Sequence, residues 1–441
     1  MTPVDVAPLV VFRVCFGTVL LCEVYRYFAH EWITRYWVEP AFHFTYYGFS
    51  WIRPWPGVGM QVHFVVLGVL AAAILVGFCY RIATALFFLG FTYVFLLDQA
   101  RYLNHFYLIV LLSFLLVFVP ADRAGSLDAL LWPARRAGTA PAWTLWLLRA
   151  QLAITYVYAG LAKLTPDWLQ GEPMRARLAR RASFPLVGRF FTEEWMVYLF
   201  TYGGLLLDLL VVPLLLWRRT RLLGLALAIV FHLLNAALFP IGVFPWLMIG
   251  ATLLFFPPET FRRVLARLRV PVAATPRPVE TAPPRPVTVV LALYLVFQLV
   301  IPLRHLLYPG NVDWTEEGHR FSWHMLLRDK AADVRFVVSD AAATWTVHPA
   351  NYVSDHQLDK MATRPDMILQ LAHHIAADLR AKGHRDVRVR ARVDASLNGR
   401  RPQPLIDPDV DLAAQPRTIW RAHWIMPLTE PLRPPERSVR R

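Results

Sequence analysis

Cysteine is scarce in this chain of 441 residues, which has only three. Cys15, Cys22 and Cys79 lie within or at the edge of apolar stretches, and the C-terminal third has none. That third therefore has no disulfide, and a cysteine-ligated metal site is excluded, so we predict no metal. The sequence also lacks a cleavable signal-peptide pattern, an internal repeat, a phosphate-binding glycine loop and a convincing hydrolase triad.

Lysine is almost absent from the N-terminal three quarters, where Lys163 is the only one before Lys330. A lysine moved out of water can lose its proton and act as a base, whereas arginine stays protonated. Lys163 ends the apolar run Tyr156-Val-Tyr-Ala-Gly-Leu-Ala-Lys163. The residues alone leave two interpretations open: a buried catalytic amine, or a lysine whose ammonium group reaches the membrane surface.

Hydrophobic residues make up 56% of the chain, which indicates a polytopic membrane protein in contact with lipid. The formal net charge of +15 resides mostly on loop and C-terminal arginines. This charge fits membrane orientation better than nucleic-acid binding, because no nucleic-acid motif accompanies it. We therefore predict no nucleic-acid partner.

Nine apolar runs predict an α-helical polytopic membrane domain of about nine transmembrane helices, followed by a small β-rich α+β domain. The adjoining pair over 222–257, broken by Pro240 and Gly242, leaves a single re-entrant element open. The predicted parts are a membrane domain (1–257), a Pro/Arg-rich cytoplasmic linker without a fold of its own (258–285), a last transmembrane helix (286–303) and an extracytoplasmic domain (304–441). The runs cover about 8–29, 61–79, 82–97, 104–119, 144–162, 196–216, 222–240, 241–257 and 286–303.

Arginine clusters at 218–221 and 262–269 predict that the N-terminus is cytoplasmic and the C-terminal domain external. The loop over 164–195 is also basic, yet this topology places it outside. His105, Lys163 and the aromatic loop over 31–56 then share the external face. That loop is either an interfacial belt or a wall around a flat apolar ligand.

The C-terminal domain shows alternation typical of strands at 333–339, 344–348 and 386–393, and a helical pattern at 364–382. His373 and His374 lie on that helix. Adjacent residues do not share a helical face, so we interpret them as a solvated pair rather than metal ligands.

Several unlinked motifs, in order, resemble vitamin K-dependent gamma-glutamyl carboxylases with their HTTM-type membrane domain. The central one is Ala159-Gly-Leu-Ala-Lys163-Leu followed by Asp167-Trp168, which is similar to the segment holding the catalytic lysine of that family. The others begin at Gly77, Leu103, His232, Arg304, Asp313, Phe321 and Ile406.

The resemblance implies oxygen-dependent epoxidation of reduced vitamin K (a hydroquinone, with menaquinol one candidate), coupled to carboxylation of a protein glutamate by carbon dioxide. By the same resemblance Lys163 is the catalytic base, Asn104 and His105 act beside the quinone, and Trp323, Met325 and His319 bind it. A desolvated amine suits such a base, because desolvation lowers the pKa of a lysine.

Departures from the family pattern fall where a glutamate substrate should bind. His319 and Arg328 replace a tyrosine and a histidine, and Pro404 stands where an arginine grips the carboxylate. The candidate substrate-binding residues are Arg328, Lys360, Arg400 and Arg401.

Two other functions stay open: a quinone-binding electron-transfer or sensor protein, and a transporter or structural membrane protein. The expected location is the inner membrane of a bacterial cell, with many spans and an extracytoplasmic C-terminal domain. The expected partners are lipid, quinone and a glutamate-containing protein or peptide.

Overall fold

The computed structural model of this chain describes residues 3–267 and 282–432. Within them, nine apolar helices follow the nine predicted runs, and six are long and apolar enough to cross a membrane. We number the nine in chain order. They are Ala7–Ala29, Gly59–Val76, Tyr80–Leu97, Asn104–Phe118, Ala142–Leu161, Glu194–Leu216, Arg221–Leu238, Phe244–Thr252 and Arg285–Val300.

The seventh and eighth apolar helices are separate elements, as the Pro240 and Gly242 signals allow. Phe239 has an extended backbone at the end of the seventh helix, and Gly242 adopts a φ of +61° in the turn. The eighth continues through a 3₁₀ turn to Phe255. Its length is only about 18 Å at 1.5 Å per residue, short of a hydrocarbon core of about 30 Å. The eighth helix is therefore a half-length element packed beside the full spans.

The first ten residues of the predicted linker form a helix, Pro258–Arg267, so the expectation of no regular structure is wrong there. Phe261 is 6% exposed and joins the membrane-domain core. Arg262 Nε donates to Asp5 Oδ2 at 2.5 Å, tying this helix to the N-terminus. Burial of one aromatic ring and one ion pair explains why a Pro/Arg-rich composition is helical here. Residues 268–281 of the predicted linker lie outside the described residues.

The C-terminal domain is built on a four-stranded antiparallel sheet, which confirms the predicted α+β class. Its strands are β3 (Lys330–Ser339), β4 (Thr344–Val347), β5 (Arg388–Leu397) and β6 (Gln403–Pro404), while β1 (Val4–Asp5) and β2 (Thr139–Ala140) pair in the membrane domain. The sheet order is β4-β3-β5-β6, and the register of its two central strands runs from Lys330 opposite Leu397 to Ser339 opposite Arg388. Alternate side chains of β3 and β5 are buried against the helix Pro365–Ala381.

Short elements connect these parts of the molecule. They are Thr34–Val38, Gln99–Arg101, Leu127–Leu131, Pro133–Arg135, Pro166–Leu169, Met174–Ala179, Gly188–Phe190, Leu253–Phe255, Ile301–Leu307, Val312–Thr315, Pro349–Asn351, Asp355–Met361 and Leu412–Ala414.

The aromatic loop over 31–56 joins the two domains. Phe44 is fully buried in the C-terminal core, and Trp37 is buried in the membrane-domain core. Tyr47, Trp51 and Trp55 are exposed, which suits an interfacial belt. The loop therefore fixes how the C-terminal domain sits on the helices.

The two histidines of the long C-terminal helix are not a solvated pair, so that interpretation is wrong. His373 Nε2 contacts the carbonyl oxygens of Leu412 at 3.1 Å and Gln415 at 2.8 Å. His374 stacks on Phe42 with ring centroids 4.5 Å apart. They do face different surroundings, as the helical spacing predicts.

Candidate active site

Lys163 lies just beyond the fifth apolar helix and is 5% exposed. Its side chain turns back along the helix, and Nζ donates to the carbonyl of Ala159 at 3.1 Å. A second hydrogen bond reaches Asp208 Oδ2 at 2.6 Å, on the sixth apolar helix. The alternative of an ammonium reaching the aqueous surface does not describe this buried side chain. Asp208 is therefore the buried partner of this amine.

Close packing of the fifth and sixth helices places Asp208 beside Lys163. A Cβ at Gly160 would lie 2.6 Å from Leu209 Cδ2 and 3.3 Å from the Leu209 backbone nitrogen. These distances are shorter than ordinary Cβ contacts, so a larger residue at position 160 would force Leu209 to move. A glycine at position 160 thus favours close packing of the fifth and sixth helices.

The loop after Lys163 is held by its own cap and by the sixth helix. The Trp168 backbone nitrogen donates to Thr165 Oγ1, with Pro166 opening the short helix. The Trp168 indole donates to the carbonyl of Thr201 at 3.0 Å. Lys163 Nζ lies 5.3 Å from the centre of the same ring, a cation–π distance. The amine is therefore enclosed by a fixed aromatic wall.

Lys163 and Asp208 line a cavity of about 490 Å³, which we call the lysine cavity. Its walls are mostly apolar, with a few polar groups directed inward, as in small-molecule sites. Leu227, Val230 and Leu234 also line it, and each is more than 40% exposed on the outer face of the seventh helix. The lysine cavity therefore opens sideways between apolar helices, where lipid would surround the protein.

His105 and Asn104 both line the lysine cavity, so the structure brings together the predicted catalytic residues. His105 forms no hydrogen bond with another described residue, and its ring packs on Phe106 at 4.7 Å. Asn104 accepts from the hydroxyl of Tyr102 at 3.1 Å and donates to the carbonyl of His324 at 3.2 Å. The imidazole remains available to a ligand, while the amide ties the helix start to the C-terminal domain.

Further polar residues of the lysine cavity were missing from the predicted site. His232 Nε2 contacts the hydroxyl of Tyr156 at 2.8 Å, and its Nδ1 is buried with no hydrogen-bond partner among the described residues. Asn235 lies one helical turn further along. The His232-Leu-Leu-Asn235 segment was among the matching motifs, so the resemblance carried a signal for both residues. Asp208 also carried a signal, because it is the only charged residue of the apolar run over 196–216, and a charge inside a membrane span is usually functional.

Of the three predicted quinone-binding residues, only Met325 lines the lysine cavity. Trp323 is fully buried against Tyr107, with ring centroids 5.1 Å apart, and is not among the lining residues. His319 is also buried, with Nδ1 2.9 Å from the carbonyl of Glu316. Burial, with three nearby arginines, holds the pKa of His319 well below its usual value. Trp323 and His319 are therefore both buried in the protein interior and do not line the lysine cavity.

The predicted substrate-binding residues lie outside the lysine cavity. Arg328 Nε pairs with Glu316 at 2.7 Å, Lys360 is half-buried on the helix Asp355–Met361, and Arg401 is exposed. A role for each in holding a substrate carboxylate stays a prediction.

Arg400 already holds a carboxylate within the protein. Its Nη1 and Nη2 atoms donate to the two oxygens of Asp167 at 2.6 and 2.7 Å. Asn398 Nδ2 donates to the same carboxylate at 2.8 Å. The side chains of Arg400 and Asp167 are about nine-tenths buried, with 8% and 11% of their surfaces exposed. This bidentate pair fastens the C-terminal domain to the loop that follows Lys163.

Two protein-family models match this chain. Residues 1–259 match the HTTM domain, and residues 284–431 match the vitamin K-dependent gamma-carboxylase, lumenal domain. The chain belongs to the vitamin K-dependent gamma-carboxylase family. No solved structure matches the chain.

The two carboxylase-family matches divide the chain as the structure does. The HTTM match contains eight of the nine apolar helices together with Lys163, His105 and Asp208. The lumenal-domain match begins at the last apolar helix and contains Met325 and Arg400. The protein is therefore a carboxylase-like membrane protein with a non-cytoplasmic C-terminal domain, and both family domains contribute to the lysine cavity.

Proposed function

We propose that this protein oxidises a reduced vitamin K-type hydroquinone to its epoxide with molecular oxygen, using Lys163 in the lysine cavity as the base. The supporting observation is one buried amine inside an apolar cavity that both family domains complete. We further propose the inner membrane of a bacterial cell as its location.

The residues of the lysine cavity fit a hydroquinone. Its volume of about 490 Å³ lies within the usual range of about 300–1,000 Å³ for small-molecule sites. The sideways opening at Leu227, Val230 and Leu234 suits a ligand with an apolar tail that arrives from lipid. The unpaired His232 Nδ1 and the free imidazole of His105 offer hydrogen bonds to ring oxygens.

Reduced vitamin K, when bound, supplies with oxygen the strong base that removes a proton from a glutamate side chain. The protein must accept the hydroquinone proton, orient the ring and exclude water. Lys163 Nζ donates to Asp208 Oδ2 at 2.6 Å, so Asp208 orients the amine that accepts this proton. Trp168 and the apolar walls exclude water, and His105 holds developing negative charge on an oxygen.

Carboxylation of glutamate is the second proposed step, and its site is less complete. Arg400, the nearest substitute for the family arginine, is occupied by Asp167. We therefore expect epoxidation to exceed carboxylation of generic glutamate peptides. A substrate carboxylate would have to compete with Asp167 for the same guanidinium, which requires a specific peptide.

The deciding experiment incubates purified protein with reduced quinone, a glutamate peptide and oxygen, and analyses both products by mass spectrometry. We expect epoxide with oxygen and none under anaerobic conditions. Lys163→Arg should abolish it, because arginine keeps the charge and an ion pair but cannot deprotonate. Lys382→Arg is the matched control, since it changes an exposed lysine that also pairs with an aspartate. Normal epoxidation in Lys163→Arg would overturn the assignment of Lys163.

A further inference from the structure

A second cavity, of about 290 Å³, lies between the C-terminal domain and the outer end of the last apolar helix. We call it the arginine cavity, because Arg304, Arg320, Arg364 and Arg417 all line it. Arg304 lies in the 3₁₀ segment Ile301–Leu307 that extends the last apolar helix. None of these four residues lines the lysine cavity, so the two sites are separate.

Three arginines of the arginine cavity have no acidic partner in the described part of the chain. Arg417 pairs with Asp366 at 2.9 Å, whereas Arg304, Arg320 and Arg364 form no ion pair with any residue that the structure describes. Within residues 3–267 and 282–432, no hydrogen-bond acceptor meets the buried Nε and Nη2 atoms of Arg320 or the buried Nε of Arg304. Buried guanidinium nitrogens without acceptors are costly, and they indicate a missing anion.

Three acidic residues, Glu316, Glu317 and Asp366, also line this cavity, so its four arginines exceed them by one. Glu316 pairs with Arg328 at 2.7 Å, and Glu317 accepts from the backbone nitrogen of Ala422 at 2.8 Å. Burial lowers the pKa of Arg364 to about 10; the charge of Glu316 opposes this shift, and the charges of Arg328 and Arg320 add to it. Arg364 stays protonated at neutral pH, so the arginine cavity keeps its positive charge.

The mouth of the arginine cavity is aromatic and exposed. Tyr47, Phe49, Ile419 and Trp420 line it, with exposed fractions of 53%, 40%, 51% and 75%. Such residues are typical of the membrane–water interface, and Arg304 follows an apolar helix. A charged interior with an apolar mouth matches a ligand that has an anionic head and apolar chains. A soluble anion would need no such mouth.

From this arrangement we propose that the arginine cavity binds the phosphate-bearing headgroup of an anionic phospholipid from the outer leaflet. Arg320 and Arg304 donate to the phosphate oxygens, and Trp420 and Tyr47 contact the glycerol and upper acyl region. Arginine suits this task because its planar fork matches phosphate geometry. A lipid bound here joins the last apolar helix to the C-terminal domain and stabilises their docking.

The test uses delipidated full-length protein in a non-ionic detergent and measures lipid retention by native mass spectrometry. The probes are phosphatidylglycerol, phosphatidylcholine and inorganic phosphate. We expect phosphatidylglycerol to bind and to raise the unfolding temperature, phosphatidylcholine to bind at least about tenfold more weakly, and inorganic phosphate to give no stabilisation. Equal binding of the two lipids, or equal stabilisation by phosphate alone, would overturn the proposal.

Variants test whether the lipid binds in the arginine cavity. Arg320→Gln should weaken phosphatidylglycerol binding by about tenfold or more, because it removes charge-assisted hydrogen bonds. Arg320→Lys should recover part of the affinity, and Arg304→Gln serves as an independent variant if Arg320→Gln folds poorly. Arg189→Gln is the matched control, since Arg189 is exposed on an outer loop away from the cavity. Unchanged lipid affinity in both glutamine variants of the cavity would refute the site. Displacement of the lipid by an acidic peptide would instead assign the cavity to a protein ligand.

Discussion

Replacing Lys163 by methionine should destabilise the protein as well as inactivate it. Asp208 is 4% exposed, and Lys163 Nζ is its only hydrogen-bond donor within the described residues. Removing one partner of a buried ion pair costs about 3–5 kcal/mol, because the remaining charge is left buried without compensation. Since the sequence shows no partner for the amine, it predicts no such loss.

A double-mutant cycle separates stability from chemistry. Lys163→Met and Asp208→Leu should each lower the unfolding temperature in one detergent, measured by intrinsic fluorescence. The double variant should regain most of that stability, because apolar side chains can replace a buried pair at little cost. Mass spectrometry of the quinone should show no epoxide from Lys163→Met or from the double variant.

The control cycle uses Lys382 and Asp378, an exposed pair whose coupling should be below about 1 kcal/mol. Additive losses at Lys163 and Asp208, with no coupling beyond that of the exposed pair, would show that the 2.6 Å contact is not energetically important. Epoxide formation by the folded double variant would refute the role of Lys163 as proton acceptor.

Three further predictions concern the titration of Lys330, the pair of Asp167 and Arg400, and the orientation of the chain in the membrane. Burial lowers the pKa of Lys330 from 10.5 to about 7, so the unfolded chain binds more protons than the folded chain between these two pH values. The free energy of unfolding should therefore rise with pH in this range, by up to about 1.4 kcal/mol per pH unit. Lys330→Met should remove this slope when unfolding is measured across pH 6–10, and an unchanged slope would contradict the shift in pKa. Arg400→Met should lower the unfolding temperature, and adding Asp167→Leu should restore it. If Arg400 instead bound the substrate carboxylate, Arg400→Met would raise the KM for peptide without changing stability. A reporter fused after Arg441 should read external and one inserted near Ala274 cytoplasmic, and a cytoplasmic reading at Arg441 would contradict the proposed orientation.

Local pattern determined the elements of this protein. Runs of apolar residues predicted all nine apolar helices, because a helix in lipid must satisfy its own backbone and present apolar side chains throughout. Alternation of period two predicted strands β3 and β5, whose inward side chains pack on one helix. The rarity of lysine, with the resemblance, identified Lys163 and His105, and both line the lysine cavity.

Only the tertiary structure decided what these residues touch. Lys163 and Asp208 are 45 positions apart, and Asp167 and Arg400 are 233 apart. No local periodicity encodes such pairs, because they depend on how closely helices pack and how the C-terminal domain docks. Gly160 illustrates the reason: the absence of a Cβ there leaves room for the Leu209 side chain where the fifth and sixth helices pack, beside the pair of Lys163 and Asp208.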